Sequence, residues 1–189
     1  MRSAFGPFVV AVLSVALVSC GGNVVPLLAS NGACTSSAVS YLRQPLALAP
    51  NYGVGPGPAY LSGQSDWYSD GQAAVLMIDS GYRGQVLIRA SQPGGGGKST
   101  ITLVAEDLSP TAVAGLATKE KQHGVEVVSA VPAASGGLLL APAASSGMWR
   151  AWFGRLSTSG PGCFGIQVDG DTFSEVIAFS VKAGPPPPG

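Results

Sequence analysis

The clearest alternation of apolar and polar positions lies near the carboxyl end of the chain. In 163–169 every second residue is apolar (Phe, Ile, Val), which is the period that turns one face of a β-strand toward a core. The Asp-Gly-Asp sequence at 169–171 is typical of a tight turn, and apolar alternation resumes in 173–182. This part of the sequence therefore predicts a β-hairpin.

Other short apolar runs recur at intervals of about ten residues, the spacing expected of a sandwich or a barrel. Only 109–122 has a recognisable helix start, with Ser109 as the N-cap and Pro110 in the first turn. We predict an all-β, mainly antiparallel fold, an immunoglobulin-like β-sandwich of about seven to nine strands with at most one short helix near 109–122. The further predicted strands are 73–79, 85–90, 100–105, 125–131, 138–141 and 148–156.

Glycine and proline are abundant outside these runs. The 189-residue chain contains 27 glycines and 15 prolines, which argues against a helical bundle. The small, polar segment 20–33 predicts a flexible spacer, and 43–58 predicts an extended arm across the surface of the domain. The Gly-Pro-Pro-Pro-Pro-Gly segment at 184–189 predicts a disordered tail, which leaves 34–183 as the folded domain.

The first twenty residues have the layout of an export signal. One basic residue, Arg2, precedes the uncharged apolar run 8–18, which is too short to span a bilayer. The run ends in Leu-Val-Ser-Cys at 17–20, which resembles the lipobox of bacterial lipoproteins. The resemblance implies that the signal peptide 1–19 is removed and that acyl chains on Cys20 anchor an extracytoplasmic domain to the cell membrane or outer membrane. An ordinary secretory signal and a buried helix are the alternatives.

Two cysteines remain if Cys20 carries lipid. An exported chain meets an oxidising compartment, where an even number of cysteines usually pairs. We therefore expect a disulfide between Cys34 and Cys163 that pins the amino-terminal arm to the domain. Two buried, unreacted thiols are the alternative.

Charged residues are few and balanced, with ten basic and ten acidic side chains, so no strong field directs the chain to nucleic acid. The sequence Gly-Gly-Gly-Gly-Lys-Ser-Thr at 94–100 is similar to a phosphate-binding loop, but Gln92 stands where that motif needs glycine. The motif should also open a helix, whereas a β pattern follows it here. We expect a hairpin loop and no bound nucleotide.

The chain has a single histidine, His123, which lies in a polar stretch. No Gly-x-Ser-x-Gly, His-Glu-x-x-His or Cys-x-x-Cys motif occurs in the sequence. We therefore expect His123 to be a solvated loop residue, and we expect neither a metal nor a cofactor.

Three carboxylates close to the predicted hairpin are the candidates for catalysis, because hydrolysis of a glycan needs only two acids across a cleft. They are Asp169, Asp171 and Glu175. Glu175 falls on the apolar face of its strand if the alternation is unbroken, and an unpaired charge there is costly to bury. We expect a bulge near Ser174, or an edge position, to turn Glu175 outward. The alternatives are a bound calcium ion or an arginine partner, either Arg150 or Arg155.

The densest aromatic cluster consists of Trp149, Trp152 and Phe153. On a strand, Trp149 and Phe153 face one way and Trp152 the other, so we expect at least one large ring to enter the core. We favour core packing over an exposed sugar-binding platform, which Trp67 and Tyr68 could extend.

The last third of the chain resembles the carboxyl-terminal part of small exported bacterial domains of unknown function. The resemblance rests on Pro-Gly-Cys-Phe at 161–164, Gln-Val-Asp-Gly at 167–170 and a final apolar strand, and the segments 53–60 and 84–90 fit the same pattern. It implies an exported β domain without a particular activity. We therefore expect a non-catalytic envelope protein that binds a partner protein or a glycan. A carboxylate-dependent hydrolase and a purely structural envelope module are the alternatives.

Overall fold

The computed structural model describes residues 34, 36–42, 52–62, 67–69, 71–91, 101–105, 110–134 and 137–185. Within these residues the chain forms thirteen β-strands and one α-helix, and the strands make two sheets, which confirms the predicted all-β sandwich. The elements are β1 (Val39–Tyr41), β2 (Tyr52–Val54), β3 (Ala59–Ser62), β4 (Trp67–Tyr68), β5 (Gln72–Ile78), β6 (Val86–Ser91), β7 (Ile101–Ala105), α1 (Pro110–Gln122), β8 (Val125–Val127), β9 (Ala130–Pro132), β10 (Leu138–Leu140), β11 (Trp149–Thr158), β12 (Gly162–Asp169) and β13 (Ser174–Lys182).

The first sheet, sheet A, has the strand order β1-β2-β3-β5-β11-β7, and β8 also pairs with β11. All of its pairs are antiparallel except β8 with β11. The ten-residue β11 pairs with β5 along one side and with β8 and then β7 along the other. This long strand therefore connects the two halves of sheet A.

The second sheet, sheet B, has the order β4-β13-β12-β6-β10-β9. Its centre is the hairpin of β12 and β13 that the alternation predicts. The two strands pair in an unbroken antiparallel ladder from Gly162 opposite Val181 to Asp169 opposite Ser174. At the edge, β4 joins β13 in the parallel direction.

Each of the predicted strands is present, and the predicted run 125–131 divides into β8 and β9. The sequence does not predict β1 to β4, because glycine and proline interrupt the apolar pattern of this region. The described part of the predicted arm 43–58 contains β2, which is a strand of sheet A. The predicted signal peptide, lipidated cysteine and spacer within 1–33 lie outside the described residues, as do the glycine loop in 92–100 and the tail from 186 onward.

The core lies between the sheets and is built from the apolar faces of both. Where β5 and β11 pair, both faces are covered: Leu76, Ile78 and Trp152 belong to the intersheet core, and Met77 and Ala151 belong to a smaller apolar cluster on the outer face of sheet A. Full burial of a large apolar side chain contributes about 1.5–3 kcal/mol, so these faces supply most of the stabilisation. Representative core side chains are Leu61, Leu76, Ile88, Trp152, Phe164 and Phe179.

The helix α1 begins at Pro110, as the sequence predicts, and packs beside β8. Leu116 and Glu120 are its buried side chains among those described, whereas Gly115 is exposed. In the described part of the chain no helix has the length and apolar character needed to cross a bilayer.

The amino-terminal segment passes from one sheet to the other along the edge of the sandwich. Cys34 forms a disulfide with Cys163 of β12, as predicted. Ser37 then pairs with Ala178 of β13: its N–H donates to the Ala178 carbonyl at 2.8 Å, and its hydroxyl accepts from the Ala178 N–H at 2.9 Å. The chain next enters β1 of sheet A. The disulfide therefore holds a segment that bridges the two sheets.

Candidate functional site

Glu175 lies on the inner face of sheet B near the start of β13, with 9% of its surface exposed. The expectation that a bulge or an edge position turns Glu175 outward is wrong. The ladder between β12 and β13 contains no inserted residue, so the alternation keeps Glu175 on the same face as Ile177 and Phe179. Hydrogen bonding along an unbroken ladder has outweighed the cost of placing a carboxyl group inside.

The carboxyl group of Glu175 reaches across the core to sheet A. Its Oε1 accepts a hydrogen bond from the backbone N–H of Ala59 in β3 at 2.9 Å. Its Oε2 is buried, and it has no hydrogen-bond partner within the described residues. Burial raises the pKa of Glu175 to about 7, and the hydrogen bond from Ala59 opposes that rise. Near pH 7, Glu175 is therefore a neutral acid in a substantial fraction of the molecules.

Asp169 belongs to the opposite face of sheet B. Its Oδ2 forms an ion pair with Arg89 of β6, and its Oδ1 accepts hydrogen bonds from Gln167 Nε2 at 2.9 Å and from the Ser174 hydroxyl at 2.6 Å. Asp169 and Glu175 occupy adjacent rungs of the β12–β13 ladder, and adjacent rungs face opposite sides of a sheet. The two carboxylates therefore do not converge on one cleft.

Asp171 is exposed in the turn between β12 and β13 and is held there by Tyr82. The Tyr82 hydroxyl accepts from the Asp171 N–H at 2.7 Å and donates to the Gln85 carbonyl at 2.9 Å. The Tyr82 ring meets the Phe173 ring edge to face, with 4.8 Å between centroids. A Cβ at Gly170 would lie 2.5 Å from the Tyr82 hydroxyl, so this close approach requires glycine. Asp171 is thus part of an anchored turn.

Arg150, one of the two arginines considered as an alternative partner of Glu175, instead binds backbone carbonyl groups at the end of the sandwich. It is 1% exposed, and burial lowers its pKa. The guanidinium group donates to three carbonyls at 2.8–3.0 Å and lies over the Tyr82 ring, 5.6 Å from its centroid. The three carbonyls belong to Tyr82, Gly84 and Ala141. Arg155, the other alternative partner, is exposed on β11. Arg150 therefore fixes two loops.

Two of the tryptophans lie in the intersheet core, and the third, Trp149, lies on the outer face of sheet A. Trp152 is 3% exposed and packs in the intersheet core, as does Trp67. Trp149 and Phe153 lie on the other face of β11, where both are partly buried. The Trp149 ring contacts the Tyr60 ring at a centroid distance of 6.0 Å. The described tryptophans thus form no open platform.

His123 follows α1 as an exposed residue, and its backbone N–H donates to the Glu120 carbonyl at 2.9 Å. Among the residues that the structure describes, no group of three histidine, cysteine or acidic side chains is arranged to hold a metal ion.

An exposed apolar surface lies instead on the hairpin of β1 and β2 at the edge of sheet A. Val39 is 57% exposed, and Tyr41, which lies opposite Tyr52, is 74% exposed. We call the exposed side chains Val39, Tyr41 and Tyr52 the edge surface. Sequence reasoning missed it, and the only available signal was the Val-Ser-Tyr alternation of 39–41, which is too short to predict a strand.

Comparison of the chain with models of known protein families, with curated proteins and with solved structures finds no match. The function proposed for this chain therefore rests on its own residues.

Proposed function

We propose that this chain is a lipid-anchored, extracytoplasmic protein of the bacterial envelope whose β-sandwich binds a partner protein without catalysis. The observation that carries the binding proposal is the edge surface. Of the four exposed large hydrophobic side chains among the described residues, Val39, Tyr41 and Tyr52 lie on this one hairpin, and the fourth is Val131 of β9. Apolar side chains grouped in this way mark interaction surfaces.

The extracytoplasmic address is supported by the lipobox-like sequence ending at Cys20 and by the disulfide between Cys34 and Cys163. Disulfides persist in oxidising compartments and are rare in the cytosol. Cys34 follows Cys20 by 14 residues (34 − 20), so the disulfide joins the domain to the chain close to the proposed anchor.

The type of partner is suggested by the position of the edge surface. Within the described residues, β1 is the end strand of sheet A and has β2 on one side only. An end strand presents backbone N–H and carbonyl groups that an extended segment of another protein can pair with, while side chains at alternate positions give specificity. Val39 and Tyr41 are such alternate positions, and tyrosine is enriched among residues that dominate binding energy. We therefore favour a protein partner over a glycan.

The separation of the acids supports binding over hydrolysis. A glycosidase mechanism needs two carboxyl groups on either side of one bond. Asp169 is engaged by Arg89 on the outer face of sheet B, whereas Glu175 points between the sheets.

We expect the Tyr41→Ser variant to lose binding while keeping its fold, because the exposed ring contributes little to the core. Photocrosslinking in native envelopes, followed by affinity measurement with the captured protein, should give a Kd at least about tenfold weaker for Tyr41→Ser than for the unaltered chain. The matched control is Val131→Ser, which removes an exposed hydrophobic side chain from sheet B and should leave the Kd unchanged. Equal binding by Tyr41→Ser and the unaltered chain would refute the edge surface as the binding site.

A further inference from the structure

Glu175 makes a direct polar contact between the two sheets. Glu175 belongs to β13 of sheet B. The N–H group that donates a hydrogen bond to its carboxyl oxygen is that of Ala59, in β3 of sheet A. We call this hydrogen bond the Glu175–Ala59 contact. It lies on the side of the sandwich where the amino-terminal segment also crosses between the sheets, since Ser37 bonds to Ala178 of the same strand. Apolar packing fills most of the space between the sheets, and another direct polar contact joins the Tyr68 N–H of β4 to Gln72 Oε1 of β5 at 3.1 Å.

The surroundings of Glu175 provide little compensation for a negative charge. Its cross-strand neighbour is Val168, which is fully buried. Tyr60, on the outer face of β3, interacts electrostatically with Glu175, and Asp79, which directly follows β5, interacts with Tyr60. Burial raises the pKa of the Tyr60 phenol, and Asp79 and Glu175 raise it further, so neither neighbour supplies a positive charge.

Two arginines near Glu175 are engaged with other groups: Arg89 pairs with Asp169 on the outer face of sheet B, and Arg150 binds carbonyl groups. Arg150 donates to backbone carbonyls through both of its terminal nitrogens. The buried Oε2 of Glu175 has no partner within the described residues. When Glu175 ionises, that oxygen carries charge in an apolar site, and burying an unpaired charge is strongly unfavourable.

We propose that Glu175 makes the sandwich sensitive to pH: the neutral acid keeps β13 and β3 together, and ionisation opens the sandwich locally along this side so that the carboxylate reaches water. The opened region comprises the loop before β3 and the start of β13. This proposal is independent of the proposed binding function.

The direction of the pH effect follows from the pKa of Glu175, which is raised from 4.5 to about 7 in the closed structure. Between these values the closed state binds more protons than an open state in which the carboxyl is solvated. Closure is therefore most favourable below pH 4.5, becomes less favourable as the pH rises toward 7, and changes little above that pH.

Amide hydrogen exchange of the whole protein, corrected for the intrinsic pH dependence of exchange, tests this proposal at the Ala59 amide. If Glu175 has its ordinary pKa in the open state, the population of the open state relative to the closed state should rise about thirtyfold between pH 5.5 and pH 8.5. The protection of Ala59 should fall by about that factor, while the amides in the centre of the β6–β12 ladder change much less.

The Glu175→Gln variant replaces the acid with a neutral side chain of the same shape, and in it the pH dependence at Ala59 should disappear. Asp171→Asn, which removes an exposed carboxylate from the neighbouring turn, should retain the dependence of the unaltered protein. A carbon-13 titration of the Glu175 carboxyl group in the unaltered protein needs no variant and should show a midpoint well above 4.5. A midpoint at the ordinary value, or an unchanged Ala59 protection across this pH range, overturns the proposal.

Discussion

Replacing Cys34 and Cys163 together with serine should lower the free energy of unfolding by about 4–5 kcal/mol. The disulfide joins residues separated by 129 positions, so its loss releases a long loop in the unfolded chain. It also frees the segment that crosses from β13 to β1 through Ser37. Urea denaturation of the double variant and of the unaltered protein, both without reductant, measures the difference.

Repeating the denaturation with an added reductant provides the control for this experiment. The reductant should destabilise the unaltered protein by a similar amount and leave the double variant unchanged, because the double variant has no disulfide to reduce. A loss below about 1 kcal/mol in the double variant would contradict the view that the disulfide is a principal support of the fold.

Replacing Arg150 with methionine should cost about 3–5 kcal/mol. Methionine keeps much of the apolar stem but removes the donors to three partly buried carbonyl groups, and a hydrogen bond made by a charged group contributes about 1.5–3 kcal/mol. The loops that these carbonyls belong to should also exchange their amide hydrogens faster. The free energy of unfolding from urea denaturation gives the size of the loss.

Arg155→Met is the matched control for Arg150, since both residues belong to β11 and Arg155 is exposed. Its effect should stay within about 0.5 kcal/mol. Equal effects of the two substitutions would show that the hydrogen bonds of Arg150 do not support the sandwich, in contradiction to this account.

The β12–β13 hairpin was predictable because its information is local. Every second residue of 163–169 is apolar, a turn sequence follows at 169–171, and the next strand continues the alternation. The pairing of Cys34 with Cys163 was also predictable, although from the number of cysteines and the expected compartment rather than from geometry.

The position of Glu175 was not predictable from the local sequence, because the contact that offsets the cost of burying its carboxyl group is a tertiary one. The sequence indicates an acid on an apolar face, and a bulge is the usual local remedy. In the structure the ladder stays intact, Ala59 donates a hydrogen bond from the other sheet, and a raised pKa reduces the charge. Ala59 is 116 residues away from Glu175, so no sequence window contains both.

Distance along the chain also explains the other elements that the sequence does not predict. Arg150 meets the carbonyls of Tyr82 and Gly84 across 68 and 66 residues, and its role depends entirely on that contact. The strands β1 and β2 have three residues each and owe their place to pairing within sheet A, not to a long apolar alternation. The edge surface follows from this pairing and could therefore not be predicted from the pattern of apolar residues.

The most direct test of the proposed address is the intact mass of the protein taken from native membranes, measured before and after reduction. The proposed address predicts a polypeptide that begins at Cys20, carries acyl chains on that residue and gains two hydrogens when the disulfide between Cys34 and Cys163 is reduced. A chain that retains Met1, lacks lipid and keeps the same mass with reductant would contradict it.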